Sequence, residues 1–262
     1  MNLKLKDKVI IVTGGASGIG EAVSKKLSEE GAIPCIIDNN EKKLTIIGKE
    51  LEGRGANFFY SVTELTDVSS CKKAIDQILA KYKKIDGLVN NAGVNDGVSL
   101  EGGSYADFIN SLERNVGHYF TLANLSLPAL KESKGSIVNI CSKTALTGQG
   151  GTSGYAAANG ERLALTKEWA AELFPAGISV NAVVVAECWT PQYATWINQQ
   201  LNPQEKLKEI TSKIPFENRM TTPNEIADTV LFLLSGVSPI NGQFLYVDGG
   251  YLHLDRSLTV LA

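Results

Sequence analysis

A glycine-rich stretch near the start of the chain is followed at a short distance by a carboxylate. The stretch is TGGASGIG at residues 13–20, and Asp38 follows 18 residues after Gly20. The glycines allow backbone angles that a Cβ excludes, and they let a diphosphate approach the N–H groups at a helix N-terminus. Asp38 can accept hydrogen bonds from an adenosine ribose and would repel a 2′-phosphate, which favours NAD over NADP. The alternative is a plain tight turn followed by a strand-end aspartate that caps Asn39 and Asn40.

Three further motifs, taken together with the glycine turn, give the chain a family resemblance. They are the run Asn90-Asn91-Ala92-Gly93, Ser142, and Tyr155 thirteen residues after Ser142. This combination resembles the short-chain dehydrogenase/reductase family over essentially the whole chain. The resemblance implies that Tyr155 is the general acid/base and that Ser142 orients the substrate oxygen. It also implies that Asn115 supports a water molecule in a proton relay.

The resemblance further implies a set of cofactor-binding positions. They are Gly14, Ser17, Gly18, Ile19, Gly20, Asp38, Glu64, Leu65, Asn91, Ala92, Gly93, Tyr155, Asn159 and Thr190. Two of the segments involved depart from the family pattern. Val185-Ala186 stands where Pro-Gly is usual, and Glu64-Leu65 stands where Asp-Val is common. Thr190 still fits the position that meets the nicotinamide carboxamide, and Leu65 can still pack on an adenine ring.

A third departure affects the chemistry directly. A free tyrosine has a pKa of about 10, so it needs a nearby positive charge to act as a base at neutral pH. Family members supply this charge with a lysine one helical turn after the tyrosine, and here Asn159 stands at that position. Lys143 is a cation next to Ser142, but strand alternation places its side chain on the opposite face unless the strand has already ended. Three explanations stay open: an engineered change, a natural loss that leaves a weak enzyme or a cofactor-binding protein, and a rewired site.

Several stretches are similar to the L-fucose dehydrogenase group of the family, which also contains a 17β-hydroxysteroid dehydrogenase. They cover residues 90–97, 111–115, 142–154, 186–187, 190–191 and 249–258. This similarity implies oxidation of the anomeric hydroxyl of a sugar to a lactone. The alternative substrate is a steroid or another apolar alcohol.

A sugar site needs polar groups for the hydroxyls and an aromatic face for the C–H side. The candidate substrate contacts are Asp96, Gln149, Glu187, Trp189 and Tyr193. Each also has a structural alternative. Glu187 can cap a helix, Gln149 can be an ordinary loop residue, and Trp189 with Trp196 can belong to the core of a short helix.

Apolar runs alternate with helical patterns along the chain. The predicted strands are residues 9–12, 33–38, 57–62, 87–90, 135–141, 178–185 and 244–247, and the predicted helices are 19–30, 68–82, 104–132, 153–173 and 223–234. This alternation predicts an α/β fold: a single doubly wound (Rossmann) parallel sheet with helices on both faces, in one domain over residues 1–262. The irregular segment 187–222, which prolines interrupt, predicts a substrate lid with one or two short helices.

Composition excludes several classes of protein. The 262 residues are 44% hydrophobic and 20% charged, which argues against disorder and against a small disulfide scaffold. The net charge of −3 argues against nucleic-acid binding. No apolar run reaches the roughly 18–20 residues of a membrane span, and the charged N-terminus MNLKLKDKVI does not resemble a signal peptide.

The cysteines and histidines carry no metal or disulfide pattern. Four scattered cysteines favour reduced thiols and a cytoplasmic location; they are Cys35, Cys71, Cys141 and Cys188. His118 and His253 lack the spacing of metal ligands, so no metal is expected. The family resemblance implies a homotetramer or homodimer whose interface uses residues 104–132 and 153–173.

Overall fold

The computed structural model describes residues 2–254 and contains one seven-stranded sheet. The strands are β1 Val9–Thr13, β2 Ile33–Asp38, β3 Phe59–Val62, β4 Gly87–Asn90, β5 Ser136–Ser142, β6 Ser179–Val185 and β7 Phe244–Val247. Within these residues the helices are α1 Gly18–Glu29, α2 Glu41–Gly53, α3 Val68–Tyr82, α4 Tyr105–Leu112, α5 His118–Ser133, α6 Ser153–Leu173, α7 Pro191–Asn198, α8 Pro203–Thr211 and α9 Pro223–Leu234.

All strand pairs in the sheet are parallel, in the order β3-β2-β1-β4-β5-β6-β7. The chain therefore winds outward from β1 in one direction and from β4 in the other. Ligands of such sheets bind at the carboxyl ends of the strands, where the winding direction reverses. The predicted doubly wound fold is confirmed, and it places the glycine turn after β1 beside the loop after β4.

The sheet is buried on both faces, which explains why β1 is apolar from Val9 to Val12. Ile11, Leu88 and Ile137 pack on one face against α3, α5 and α6. Ile10 and Val12 pack on the other face against α1 and α9. The two layers of helices hold the strand ends at fixed distances from one another, as a site built from several loops requires.

Two helical segments differ from the prediction. The sequence analysis omitted α2, although Leu44, Ile47 and Leu51 are spaced as one buried helical face and Asn40 caps its first turn. The segment predicted as one helix over 104–132 is divided into α4 and α5 by a π-helical turn at Glu113–Gly117. A π-turn adds a residue to the helix without breaking it, so helical periodicity alone does not reveal it.

The segment 187–222 contains two short helices, α7 and α8, as predicted. Its ends are held together just beyond the carboxyl end of β6, where Cys188 pairs with Thr221. The N–H of Trp189 donates to the carbonyl of Thr221 at 2.9 Å, and the N–H of Thr221 donates to the carbonyl of Glu187 at 3.0 Å. The segment therefore leaves the sheet and returns to it at one point.

Candidate active site

The carboxyl ends of the strands open onto a cavity of about 1520 Å³, which α7 and α8 cover on one side. Most of the residues that the sequence predicts for the site line this cavity. They are Gly14, Ser17, Gly18, Ile19, Asp38, Glu64, Leu65, Asn91, Ala92, Gly93, Asp96, Ser142, Gln149, Tyr155, Glu187, Thr190 and Tyr193. The other four, Gly20, Asn115, Asn159 and Trp189, lie outside the cavity wall.

The turn after β1 fits a dinucleotide. Gly14 and Gly18 have φ angles of 59° and 57°, a region that residues with a Cβ rarely adopt. A Cβ on Gly20 would lie 2.2 Å from the carbonyl oxygen of Gly14. The side chain of Ser17 makes no capping hydrogen bond, whereas Asn40 caps the neighbouring helix α2. The first N–H groups of α1 are therefore available to an anionic group of a ligand.

Asp38 fastens the glycine turn and also faces the cavity. One carboxylate oxygen accepts from the N–H of Ala16 at 3.1 Å, and the other accepts from the N–H of Asn40 at 2.9 Å. Only 8% of the residue is exposed, and it still lines the cavity. The same carboxylate therefore caps a turn and lines the cavity, and its contact with a ribose stays a prediction.

The loop after β4 is tied to the glycine turn. Asn91 donates from Nδ2 to the carbonyl of Thr13 at 2.8 Å, and its N–H donates to the Thr13 hydroxyl at 2.9 Å. The N–H of Ala92 donates to the same hydroxyl at 3.0 Å. These bonds fix the two loops across the point where the winding direction reverses, which explains the choice of an asparagine and a threonine there.

Asn159 connects the two predicted catalytic residues through their backbone. Ser142 ends β5 and Tyr155 lies in the first turn of α6. The N–H of Ser142 donates to Asn159 Oδ1 at 2.8 Å, and Asn159 Nδ2 donates to the Tyr155 carbonyl at 2.8 Å. The residue is 0% exposed. Its amide oxygen and one amide N–H are thus bonded within the protein, and the residue does not line the cavity, so its contact with a ribose hydroxyl stays a prediction.

Asn115 occupies the π-turn between α4 and α5. Its Oδ1 accepts from the N–H of Val94 at 2.7 Å, and its Nδ2 donates to the Ser111 carbonyl at 2.9 Å. Its own carbonyl accepts from Arg162 Nε at 2.8 Å. Asn115 therefore anchors the loop after β4, and its predicted contact with a relay water stays a prediction.

The sequence analysis missed Arg162, although a spacing signal was present. Tyr155, Asn159 and Arg162 are related as i, i+4 and i+7, so they share one face of α6. Arg162 is 2% exposed and lines the cavity. A guanidinium on the buried face of a helix is unusual, and this position could have been noted with the tyrosine motif.

Lys143 also belongs to the site, because β5 ends at Ser142 and a short 3₁₀ turn begins with Lys143. Strand alternation therefore does not apply to it. Its Nζ pairs with the carboxylate of Glu187 and lies 4.0 Å from the centre of the Tyr251 ring.

Burial, together with the negative charge of Glu187, raises the pKa of Tyr193 above its ordinary range.

The aromatic residues of segment 187–222 differ in their access to the cavity. Trp196 lines it and Trp189 does not. The two side chains are 43% and 41% exposed, so the alternative that they form a helix core is wrong. The alternative role of Glu187 as a helix cap is also wrong, because the Thr190 hydroxyl caps α7 by accepting from the N–H of Tyr193 at 3.2 Å.

Comparison with known proteins agrees with this geometry. The sequence model of the family described as short chain dehydrogenase matches residues 8–201. The chain belongs to the short-chain dehydrogenase family. It is an oxidoreductase that acts on CH–OH groups, and the family uses NAD or NADP as its cofactor.

Relatives of this short-chain dehydrogenase are named for different activities. The 3-oxoacyl-[acyl-carrier-protein] reductase FabG of Thermotoga maritima is 33% identical, over 95% of this chain and 99% of the relative. An L-fucose dehydrogenase of Bos taurus is 30% identical, over 95% of this chain and 91% of the relative. The crystal structure of the Cj0485 dehydrogenase is 41% identical, with a TM-score of 0.94 and coverage of 98% and 99%. Nothing in these comparisons supports an impaired activity.

His118 is a buried histidine, and we expect it to make the stability of this short-chain dehydrogenase sensitive to acid. The residue is 2% exposed, and within residues 2–254 neither ring nitrogen has a hydrogen-bond partner of good geometry. Burial, and next the positive charge of Arg162, lower the pKa of His118 to about 3. The unfolded chain binds this proton from about pH 6.5 downward. The free energy of unfolding is therefore expected to fall between these two pH values, by up to about 1.4 kcal/mol per pH unit.

Urea unfolding at about pH 7.5 and about pH 5.5 measures this effect, since the upper value lies above both pKa values and the lower value lies between them. The variant His118→Leu should lose about 1.4 kcal/mol of the pH dependence, and the exposed His253→Gln variant should keep it. A pH dependence that is unchanged in His118→Leu would show that other groups cause the acid sensitivity.

Metal sites and membrane spans were also searched for among the described residues. No group of three or more His, Cys, Asp or Glu side chains suited to a metal ion occurs among them. None of the helices over residues 2–254 is long and apolar enough to cross a membrane. Of the stretch 249–258 that resembles the L-fucose dehydrogenase group, the part after residue 254 lies outside the described residues.

Proposed function

We propose that this short-chain dehydrogenase oxidises the anomeric hydroxyl of an L-fucose-like aldose to a lactone, with NAD as the hydride acceptor. The observation that supports a sugar is the polar wall near Ser142. The Lys143–Glu187 ion pair, Asp96 and Gln149 all line the cavity. Ionic and amide groups can pair with several hydroxyls of one ligand, whereas an apolar substrate would remove water from them and supply no hydrogen bond in its place.

In this proposal Ser142 and Tyr155 hold the reacting oxygen. The Ser142 hydroxyl donates a hydrogen bond to that oxygen, and the Tyr155 phenol oxygen takes its proton as the general base. A bound nicotinamide dinucleotide supplies the carbon that accepts the hydride. Residues of α7 and α8, among them Trp196 and Ile210, line the cavity from above. We propose that segment 187–222 acts as the substrate lid and excludes water from this space.

The choice of NAD over NADP rests on the adenosine end of the cavity. Asp38 faces the cavity there and Asn39 lies beside it. A carboxylate at this position accepts from ribose hydroxyls and repels a phosphate on the 2′ oxygen. Lys43 also lines this end, and it lies on the first turns of α2, beyond Asp38 along the chain.

The test is NADH formation with purified protein and a substrate panel. The panel contains L-fucose and its epimers, a 17β-hydroxysteroid and, in the reverse direction with NADH, a 3-oxoacyl thioester. We expect kcat/KM for an aldose with NAD⁺ to exceed that for the steroid and for NADP⁺ by roughly tenfold or more. A matched variant, Glu187→Gln, should raise KM for the aldose, because it removes the charge that holds Lys143 in place.

Each other result of this panel assigns a different function. Preference for the steroid would favour the dehydrogenase of apolar alcohols. Tight NADH binding without turnover of any panel member would favour a weak or inactive NAD-binding protein. Failure to bind either dinucleotide would reject the proposal altogether.

The expected homodimer or homotetramer remains a proposal. Exposed aromatic side chains on the helices predicted for the interface support it, since Tyr105 on α4 is 81% exposed and Phe120 on α5 is 58% exposed. A monomeric mass by light scattering would contradict it.

A further inference from the structure

Arg162 brings an uncancelled positive charge to the base of the site. Its Nε donates to the Asn115 carbonyl at 2.8 Å, and its Nη2 donates to that carbonyl and to the carbonyl of Ala92. Its Nη1 donates to Asn159 Oδ1 at 3.1 Å and to the Ile140 carbonyl at 3.2 Å. All these acceptors are neutral. Among residues 2–254, no carboxylate forms an ion pair with this guanidinium.

The guanidinium lies directly under the loop that follows β4. A Cβ on Gly93 would be 2.6 Å from Arg162 Nη2, so a larger residue there would move the guanidinium away from its hydrogen bonds. The guanidinium and the backbone N–H of Ser142 donate to the same atom, Oδ1 of Asn159. The orientation of the Asn159 amide is fixed, because its oxygen faces two donors and its nitrogen faces the Tyr155 carbonyl.

The other cation next to Ser142 does not offer such a charge. Lys143 is paired with the carboxylate of Glu187. An ion pair of this kind has little net charge at the distance of a neighbouring ligand. Arg162 is also suited to a buried wall, because a guanidinium stays charged there. The charge of Arg162 reaches the cavity wall, since it contributes to the lowered pKa of His118.

We propose that Arg162 supplies the positive charge that other family members supply with a lysine at the position of Asn159. Asn159 then holds this charge close to Ser142 and Tyr155. Arg162 acts on the site through its charge and through Asn159, not by touching the reacting atoms. Asn159 is then a functional partner of Arg162, not a loss of the catalytic lysine. The inference rests on the proposed function, because it concerns the nicotinamide end of the same cavity.

Binding of the two cofactor forms tests this inference without any turnover. The nicotinamide ring of NAD⁺ carries a positive charge that NADH lacks, so a nearby cation weakens NAD⁺ binding relative to NADH binding. We expect Arg162→Met to lower the ratio Kd(NAD⁺)/Kd(NADH) by roughly threefold to tenfold. The double variant Asn159→Lys with Arg162→Met, which moves the charge by one helical turn, should restore the ratio and the turnover. Lys167→Met, which removes an exposed cation from the same helix, should leave the ratio unchanged.

The single variant Asn159→Lys supplies a second, independent result, since it keeps Arg162 and its hydrogen bonds to the backbone. The site already contains one cation, so this variant should gain no turnover. A large gain would overturn the inference, and so would an unchanged Kd ratio in folded Arg162→Met. If Arg162→Met does not fold, Arg162→Lys should keep the ratio, and Asn159→Lys decides the outcome. Failure of the unmodified protein to bind NADH would instead reject the proposed function, and this inference with it.

Discussion

Tyr155→Phe is expected to reduce turnover by roughly a thousandfold, within the range of general acid–base catalysis. The residue lies in the first turn of α6 and lines the cavity together with Ser142. Removal of the phenol oxygen leaves the substrate hydroxyl without its base, while the backbone carbonyl of Tyr155 still accepts from Asn159. Steady-state NADH formation measures the loss.

Binding of NADH should change little in the same variant, which separates the loss of a base from a loss of folding. Tyr105→Phe is the matched control, because Tyr105 is 81% exposed at the start of α4 and does not line the cavity. Turnover above about a tenth of the original value in Tyr155→Phe would assign the proton transfer to another group, with Lys143 the first candidate.

Gly20→Ala is expected to damage both dinucleotide binding and stability. The new Cβ would lie 2.2 Å from the Gly14 carbonyl oxygen and 2.6 Å from Asn91 Nδ2. Neither atom can move freely, because one is backbone and the other is bonded to Thr13. Overpacking of this kind costs about 1–3 kcal/mol. Loss of one charge-assisted backbone contact, about 1.5–3 kcal/mol, corresponds to roughly a 10- to 150-fold weaker affinity for NADH.

Gly53→Ala provides the contrast. No described atom lies within 4 Å of its added Cβ, and the residue is in the last turn of α2. A glycine-to-alanine change in a helix favours the folded state by up to about 1 kcal/mol when nothing is displaced. Urea unfolding and NADH titration of both variants measure these effects. Equal NADH affinity in Gly20→Ala and the unmodified protein would mean that the turn does not hold the diphosphate.

The fold could be predicted from the sequence because its signals are local and repeated. A strand buried on both faces is mostly apolar, and residues 9–12 of β1 show this directly. The glycine turn and Asp38 are defined by the strand ends that they follow. The π-turn at Asn115 could not be predicted, because it depends on packing between α4, α5 and α6 and leaves the apolar spacing nearly intact.

The site was predictable where it follows a motif and less so where the charges come from other elements. Ser142 and Tyr155 have a fixed separation in sequence, and both line the cavity. The side-chain direction of Lys143 was harder to predict, because it depends on whether β5 ends before or after this residue. Arg162 has a clear spacing on α6, but its role becomes visible only with its hydrogen-bond acceptors. Three of these come from other parts of the chain and one, Asn159, from α6 itself.

The closed ends of segment 187–222 have a consequence for how such an enzyme changes its substrate. Cys188 and Thr221 pair just beyond the carboxyl end of β6, through backbone bonds that do not involve α7 or α8. These bonds offset the entropy that is lost when the loop between them is closed. Those two helices can therefore be exchanged for a loop of different length or chemistry while the sheet keeps its register. We therefore expect substrate specificity to be exchangeable through α7 and α8, and a grafted insertion that keeps Thr190 would leave the predicted cofactor-binding residues in place.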